Sequence, residues 1–404
     1  MKIVWLCHYS LIYLKDKLNL DLEDYTGHPG TWIYYLSKEF KNFVGNELYI
    51  ISKSDFIDSN IIYQDENIHF YILKNKVLRS RNGIINFLFK PIRLFPSFRR
   101  KYKLVKLIRD INPDIINVHG TEHDDALLIK NIRIPVVIWI QGVLNIAFKF
   151  LNTKSVEILK YEERKIFQLY KCFITKKGNM EEAILKCNNA PIFYNLFYPV
   201  SNFCFDQYEV DREKKYDVVY IGNIYKFKGI EEFLKTLILL KERQIDFKAC
   251  VVGHCSDLIY LDFIKDYILT SGLDKNIDFK GSIPEHNDVL GILKSSKILL
   301  IPALFDSAPL IVAESMAIGV PVIAYNLDGL PEMIKNRDSG ILVEKGDIKA
   351  LSEAVLELWN NPEFCEKIIL QAHLIAKEQF YAPVVADKTL GIYKNVIENF
   401  KSIK

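Results

Sequence analysis

Short runs of apolar and β-branched residues alternate with longer segments of helical period along nearly the whole chain of 404 residues. The strand candidates of the first half are KIVWLC, ELYIISK, HFYILK, DIINVHG, PVVIWIQG, CFIT and PIFYNL. Those of the second half are YDVVYIG, FKACVVG, IDFKG, KILLIP, PVIAY and GILV. Continuous apolar strands separated by helices are typical of parallel sheets that are covered on both faces. The pattern therefore predicts an α/β fold.

The alternation starts twice, which indicates two domains. One strand series begins at Lys2 and a second begins at Tyr216, with an irregular, charged linker candidate at 202–215 between them. We expect two doubly wound α/β domains, with ligands bound in a cleft at the carboxyl ends of their strands. Three helices are predicted after the last strand, at Ile348–Asn360, Pro362–Gln379 and Pro383–Phe400.

The composition excludes several classes of protein. Half of the residues are apolar and a quarter are charged, which excludes a disordered or collagen-like chain. The seven cysteines are scattered without a CxxC pair, which predicts reduced thiols in a cytosolic protein and no zinc site. We find no signal-peptide cleavage site and no apolar run of the roughly 18 residues that cross a bilayer.

The segment Ile298–Ile334 carries the strongest chemical signal. It predicts a buried strand that ends at Pro302, a loop, and a helix with Pro309 as its first residue, because proline suits that position. The free N–H groups of Leu310 and Ile311 and the helix macrodipole would favour a phosphate at this helix start.

Two carboxylates flank the same helix start. Asp306 precedes the helix and Glu314 lies about one and a half turns into it. Carboxylates so placed could hold two hydroxyl-bearing rings on either side of a pyrophosphate. The alternative is structural, an N-terminal cap and a glutamate on a helix face, and the spacing alone leaves both open.

The sequence PALFDSAPLIVAESMAIGVPVIAYNLDGLPEMI resembles the signature of the retaining, nucleotide-sugar-dependent glycosyltransferases of group 1, which have the GT-B fold. That signature has two glutamates separated by seven residues, then Ala-Met-Ala, Gly-x-Pro-Val and a Gly-Gly-x-Pro-Glu turn. The residues in register with it are Ser315-Met316-Ala317, Gly319, Pro321-Val322 and Gly329-Leu330-Pro331-Glu332.

The resemblance implies two Rossmann-like domains, each a doubly wound parallel sheet, that face a cleft, and a C-terminal helix that crosses back to the N-terminal domain. The expected domains are 1–205 with 383–404, for the acceptor, and 206–382, for the nucleotide-sugar. Glu314 would bind the nucleotide ribose and Asp306 the donor sugar. Aspartate in place of the family's glutamate reaches about 1.5 Å less far, which leaves the sugar preference open.

The segment YIGNIYKFKGIEEFLKTL resembles the strand, loop and helix that open the second domain of that family. There an arginine and a lysine neutralise the departing diphosphate, which is worth several kcal/mol in a transition state. Lys228 matches the lysine, Asn223 stands in place of the arginine, and Lys226 is a candidate substitute. The further donor contacts that the resemblance implies are Gly253, Ile283, Ala308, Leu310, Ile311 and Gln141.

The first domain offers a second group of candidates. Gly27 and Gly30 precede an amphipathic helix, where glycine lets the backbone approach an anion closely. His119 and Glu122 follow one strand and Gln141 follows the next, at the edge of the sheet where ligands bind. The family commonly has histidine in place of Gln141, and glutamine cannot take a proton. His119 is equally well explained as an ordinary strand-end residue.

A strongly basic segment lies between Lys74 and Arg109. It contains twelve lysines and arginines and no acidic residue, with phenylalanines and leucines between them. Such a pattern predicts a face that lies on an anionic membrane. The residues assigned to that face are Arg93, Arg99, Arg100 and Lys101. The alternative is a solvated helix face, and nucleic acid is not expected because no binding module accompanies the segment.

Together these observations predict a retaining glycosyltransferase that needs no metal or other cofactor. Its partners would be a nucleotide-sugar donor and a saccharide acceptor, such as a polyprenyl-diphosphate-linked sugar, in bacterial surface-polysaccharide synthesis. The enzyme would be cytoplasmic and peripheral on the inner face of the plasma membrane. Two alternatives remain open, a nucleotide-sugar epimerase or hydrolase on the same fold, and a binding protein whose departures at Gln141, Asn223 and Asp306 abolish catalysis.

Overall fold

The computed structural model describes residues 1–22, 30–74, 94–147, 154–209, 214–306 and 308–402. The chain divides into two compact units, Met1–Phe197 with Val385–Lys404, and Tyr198–Val384. The sequence placed the two boundaries a few residues away, at 205/206 and 382/383. The linker candidate lies entirely in the second unit and begins with a short helix rather than an irregular stretch, because Ser201 caps it by accepting a hydrogen bond from the N–H of Phe203.

The first unit is built on an eight-stranded sheet in the order β3-β4-β2-β1-β5-β6-β7-β8. Its strands are β1 (Lys2–Leu6), β2 (Glu47–Ser54), β3 (Ile61–Asp65), β4 (Ile68–Lys74), β5 (Ile115–His119), β6 (Val136–Trp139), β7 (Cys172–Thr175) and β8 (Ile192–Asn195). All neighbours are parallel except β3 and β4.

The antiparallel edge strand β3 was missed by the sequence analysis. Its side chains alternate between half-buried and exposed, so it lacks the continuous apolar run of the inner strands. The tight turn to β4 also lacks glycine, and Glu66 adopts the left-handed conformation there with a φ of 57°.

The helices of the first unit lie in the connections between these strands. They are α1 (Lys15–Leu18), α2 (Thr31–Phe40), α3 (Leu94–Ile111), α4 (Asp125–Leu128), α5 (Leu144–Ala147), α6 (Lys154–Leu169) and α7 (Asn179–Leu185). A 3₁₀ turn, Leu11–Leu14, precedes α1.

The last helix of the chain, α15 (Ala382–Ser402), supplies part of the core of the first unit from Val385 onward. The side chain of Tyr393 is fully buried. Its hydroxyl accepts hydrogen bonds from the indole N–H of Trp5 at 2.8 Å and from the side-chain amide of Asn117 at 2.6 Å. Residues from the beginning, the middle and the end of the sequence thus meet in one core.

The second unit is built on a six-stranded, all-parallel sheet in the order β11-β10-β9-β12-β13-β14. Its strands are β9 (Tyr216–Ile221), β10 (Ala249–Val252), β11 (Ile277–Gly281), β12 (Ser296–Ile301), β13 (Val322–Tyr325) and β14 (Ile341–Val343). Its helices are α8 (Asn202–Asp206), α9 (Ile230–Glu242), α10 (Leu258–Thr270), α11 (His286–Lys294), α12 (Leu310–Ile318), α13 (Ile348–Asn360) and α14 (Pro362–Gln379).

Helix α12 is almost entirely buried in the second unit. Every residue from Val312 to Ile318 is buried, including Glu314 and Ser315. A helix that is apolar on all sides is expected to be buried, and α12 packs against α8, α11 and α14.

The predicted fold class is confirmed, because both units are α/β and their sheets are almost entirely parallel. Among the helices in the described ranges, none is both long enough and apolar enough to cross a bilayer. All seven cysteines are free thiols.

Candidate functional site

Lys228 lies in the loop that follows β9, on a 3₁₀ turn, Lys226–Lys228. The buried Tyr220 of β9 holds this loop, since its hydroxyl is within hydrogen-bond distance of the carbonyl oxygens of Asn223 (3.0 Å) and Lys228 (3.2 Å). The side chain of Lys226 points to solvent. A side chain of the strand thus contacts the loop at both Asn223 and Lys228.

The ammonium of Lys228 contacts Asp306, with 2.6 Å between Nζ and Oδ2. The two side chains are 27% and 16% exposed, so the pair lies at the surface but is partly shielded. Their loops are joined through the backbone as well, because the N–H groups of Leu304 and Phe305 donate to the carbonyl oxygen of Phe227. The structure thus brings together two residues that the sequence assigned separately, to the diphosphate and to the donor sugar.

The helix start after Asp306 differs in one detail from the sequence prediction. Pro309 is the N-cap, with extended angles (φ −66°, ψ 134°), and Leu310 is the first helical residue. Ala308 before it takes the left-handed conformation with a φ of 57°, and this bend turns the chain into the helix one residue later than expected. The first N–H groups of α12, at Leu310 and Ile311, have no carbonyl partner inside the helix.

Glu314 is 3% exposed and makes a close hydrogen bond, with 2.7 Å between its Oε1 and Nε2 of His286. His286 is the first residue of α11 and its side chain is 37% exposed. Burial alone would lower the pKa of His286, but the hydrogen bond and the negative charge of Glu314 raise it above its ordinary value. The carboxylate is therefore partnered before any ligand arrives.

Two glycines allow the loops at the carboxyl ends of β9, β10 and β12 to approach one another. A Cβ at Gly229, which has a φ of 78°, would lie 1.8 Å from the carbonyl oxygen of Pro302. A Cβ at Gly253 would lie 1.9 Å from the carbonyl oxygen of Gly222. Ile283, another of the expected donor contacts, is half-buried in the loop after β11.

In the first unit, the loops after β5 and β6 bring Glu122 and Gln141 together over Gly120. A Cβ at Gly120, which has a φ of 86°, would lie 1.9 Å from Oε2 of Glu122 and 3.4 Å from Cδ of Gln141, so glycine lets both side chains lie against the backbone here. Burial raises the pKa of the Glu122 carboxyl, although hydrogen bonds from the backbone N–H groups of Glu122 and Thr121 act in the opposite direction.

The buried carboxylate of Glu163 joins the same two loops. Its Oε1 accepts hydrogen bonds from the hydroxyl of Thr121 at 3.0 Å and from the N–H of Leu144 at 2.8 Å. Glu163 lies on α6, far in sequence from both loops, and sequence analysis did not identify it.

His119 lies in the core rather than on an open edge. Its side chain is 4% exposed and lies beside the rings of Trp5 and Trp139, with centroids 5.0 and 5.4 Å away. Neither ring nitrogen has a hydrogen-bond partner among the described residues, and burial lowers the pKa of His119 to about 3. Gly30 is the N-cap of α2 with a φ of 53°, whereas Gly27 lies outside the described residues.

The basic segment is described only in part. Arg93 lies outside the described residues, and the side chains of Arg99 and Arg100 on α3 lie outside them too. Lys101 is half-buried, and Tyr102 beside it is 70% exposed.

His286 is the functional candidate that sequence analysis missed. It is 28 positions from Glu314, and nothing in the local pattern around Pro284 links the two. The one available signal was a histidine a few residues after the predicted strand IDFKG, at the edge of the sheet where ligands bind. No cluster of metal-binding side chains occurs in the part of the chain that the structure describes.

Residues 205–374 match the family model of the glycosyl transferases group 1. An uncharacterized glycosyltransferase of Haemophilus influenzae is 23% identical over 74% of this chain and 79% of that protein. The capsular polysaccharide biosynthesis glycosyltransferase CapM of Staphylococcus aureus is 23% identical over 48% of this chain, which spans about half of CapM (53%).

Solved structures with the same fold cover the whole chain. Sucrose-phosphate synthase from Thermosynechococcus elongatus superposes with a TM-score of 0.72 at 16% identity, over 99% of this chain and 100% of that one. HepE of Anabaena in complex with UDP superposes with a TM-score of 0.67 at 15% identity, over 100% of both chains.

Proposed function

We propose that this chain, which has the GT-B fold, is a group 1 glycosyltransferase that transfers a sugar from a nucleotide-diphosphate donor to a saccharide acceptor with retention of configuration. The observation that carries this proposal is the meeting of Lys228, Asp306 and the start of α12 in the second unit. A cation and the free N–H groups of a helix start together suit a diphosphate.

The donor site is proposed to lie on the second unit. The diphosphate would bind between Lys228 and the N–H groups of Leu310 and Ile311, and Asp306 would reach the donor sugar or share the ammonium. Glu314 would bind the ribose. HepE, whose fold this chain shares, has been solved with UDP and with UDP-glucose. The base and the sugar of this chain's donor are left to experiment.

The proposed reaction breaks the bond between the anomeric carbon and the diphosphate oxygen. Lys228 and the start of α12 would stabilise the negative charge that develops on the leaving diphosphate. The departing phosphate would take the proton of the acceptor hydroxyl, which then attacks the same face of the sugar, so that configuration is retained. The mechanism requires no metal, and activity in the presence of EDTA is the direct test.

We further propose a saccharide acceptor on a polyprenyl diphosphate and a role in bacterial surface-polysaccharide synthesis, as the name of CapM suggests for that relative. The basic segment from Lys74 to Arg109 would bring the enzyme to the anionic inner leaflet. Flotation with anionic liposomes tests this step. Changing Arg99, Arg100 and Lys101 to glutamate should abolish flotation, and undiminished flotation would reject the membrane face.

A panel of nucleotide-sugars, incubated with and without lipid-linked saccharides, tests the reaction itself. We expect sugar transfer to the acceptor and only slow hydrolysis without it. Conversion of the nucleotide-sugar in the absence of acceptor would favour the epimerase, and binding without turnover would favour a catalytically impaired protein. Glu314→Ala should weaken nucleotide binding, and an unchanged dissociation constant would contradict the assigned role of Glu314.

A further inference from the structure

Glu314 and His286 differ in how far each is open to a ligand. The side chain of Glu314 is only 3% exposed, and one of its carboxylate oxygens already accepts a hydrogen bond from His286. The imidazole is 37% exposed. The group of this pair that a bound nucleotide would meet first is therefore the histidine.

The hydrogen bond to Glu314 also determines what His286 can offer. A carboxylate only accepts, so the ring nitrogen that faces it, Nε2, carries a proton. The other nitrogen, Nδ1, has no hydrogen-bond partner within the described ranges. It accepts a hydrogen bond when the ring is neutral and donates one when the ring is protonated. A sugar hydroxyl both donates and accepts, so it matches Nδ1 in either state.

The position of His286 in the fold suits a nucleotide contact. It begins α11 directly after the loop that follows β11, at the carboxyl edge of the parallel sheet. The loop of Lys228 follows β9 and the start of α12 follows β12, at the same edge. Ligands of open α/β sheets bind along this edge.

We propose that His286 is a ribose-binding side chain, held through Nε2 by Glu314 and offering Nδ1 to a ribose hydroxyl of the nucleotide. This inference rests on the proposed nucleotide-sugar function and adds a residue to its site. Glu314 then contributes to affinity by holding the imidazole as well as through any direct contact of its own with the ribose.

Calorimetry with the full chain tests the contact. UDP, GDP and ADP are titrated first, and the tightest of them is then compared with its 2′,3′-dideoxy form. Two variants separate the ribose contact of His286 from its hydrogen bond to Glu314. His286→Leu removes both ring nitrogens, whereas His286→Gln keeps an N–H donor towards Glu314 but lacks Nδ1. Asn287→Leu, an exposed change in the same helical turn, is the matched control, and thermal unfolding of each variant verifies folding.

We expect His286→Gln to bind the ribonucleotide about three- to ten-fold more weakly than the wild type, the loss of one hydrogen bond. His286→Leu should bind at least as weakly, Asn287→Leu should be unchanged, and the dideoxy form should bind all four proteins alike. Wild-type affinity in His286→Gln would overturn the contact while leaving the proposed function intact. If His286→Gln lost the same affinity for the dideoxy form as for the ribonucleotide, the contact would also be overturned. Failure of the wild type to bind any of the three nucleotides would overturn both.

Discussion

Replacement of Lys228 by methionine tests the centre of the proposed mechanism. Methionine has a similar length and keeps the apolar contacts of the side chain, but it removes the ammonium. The backbone of this loop is held by the hydroxyl of Tyr220 and by the N–H groups of Leu304 and Phe305, which donate to its carbonyl oxygen at Phe227. We therefore expect the conformation of the loop to survive the substitution. The change therefore isolates the charge.

The size of the effect follows from the surroundings of the ammonium. In the proposed mechanism, with Asn223 in place of the expected arginine, Lys228 would be the main cation for the leaving diphosphate. Loss of one such preorganised donor typically lowers kcat by about 10²- to 10³-fold, or roughly 3–4 kcal/mol. The variant also removes the ammonium that lies 2.6 Å from Oδ2 of Asp306, a side chain that is only 16% exposed. Its negative charge would then repel the diphosphate, so nucleotide affinity should fall as well.

Two further variants separate these contributions. In Lys228→Met with Asp306→Asn the repulsion is gone, so nucleotide affinity should partly recover while kcat stays low. Lys226→Met, on the same turn but with its side chain in solvent, tests the candidate substitute, and turnover within about three-fold of the wild type would exclude Lys226 from the diphosphate site. Turnover is measured with the donor and acceptor identified in the panel, and affinity by calorimetry. Turnover of Lys228→Met within a few-fold of wild type, or an equal loss in Lys226→Met, would refute the reasoning.

Two further predictions concern stability, measured by urea denaturation. Gly229→Ala should lower the free energy of unfolding by about 3 kcal/mol, because the new Cβ would clash with the carbonyl oxygen of Pro302. The control Gly45→Ala has a similar φ of 81° but lies in open space, so it should lower the free energy of unfolding by only about 1 kcal/mol. Equal losses of stability in the two variants would contradict the clash. The lowered pKa of His119 removes stability as pH falls below about 6.5, by roughly 1.4 kcal/mol per unit. His119→Phe should therefore flatten this dependence between pH 7 and 5, and the exposed control His123→Phe should not; an unflattened profile in His119→Phe would argue against the neutral, buried histidine.

The fold was predictable from sequence because its main signal is local. Parallel strands buried on both faces appear as continuous apolar runs, and thirteen of the fourteen strands in the described residues were among the strand candidates. The exception, β3, is a half-exposed edge strand, where one face need not be apolar. The start of α12 was predicted to within one residue. The difference comes from the left-handed conformation of Ala308, which cannot be predicted from sequence because alanine rarely adopts it.

The candidate site was only half accessible from sequence. Lys228, Asp306 and Glu314 stand within segments whose spacing can be compared with a family signature. Their pairing could not be read in this way, because the contacts of Lys228 with Asp306 and of His286 with Glu314 join residues from different strand–helix units. The same holds for Glu163, whose role depends on two loops that only the folded sheet brings together.

The route of the chain has a consequence for how the protein is made. The first unit takes Trp5 and Asn117 from its early strands but Tyr393 from α15, while the second unit is one continuous stretch, Tyr198–Val384. On the ribosome, the second unit can thus complete its fold before the first unit does. Trp5 and Asn117 of the first unit lack their hydrogen-bond partner Tyr393 until α15 has been synthesised. Chaperone dependence is therefore expected to centre on the N-terminal half of the nascent chain.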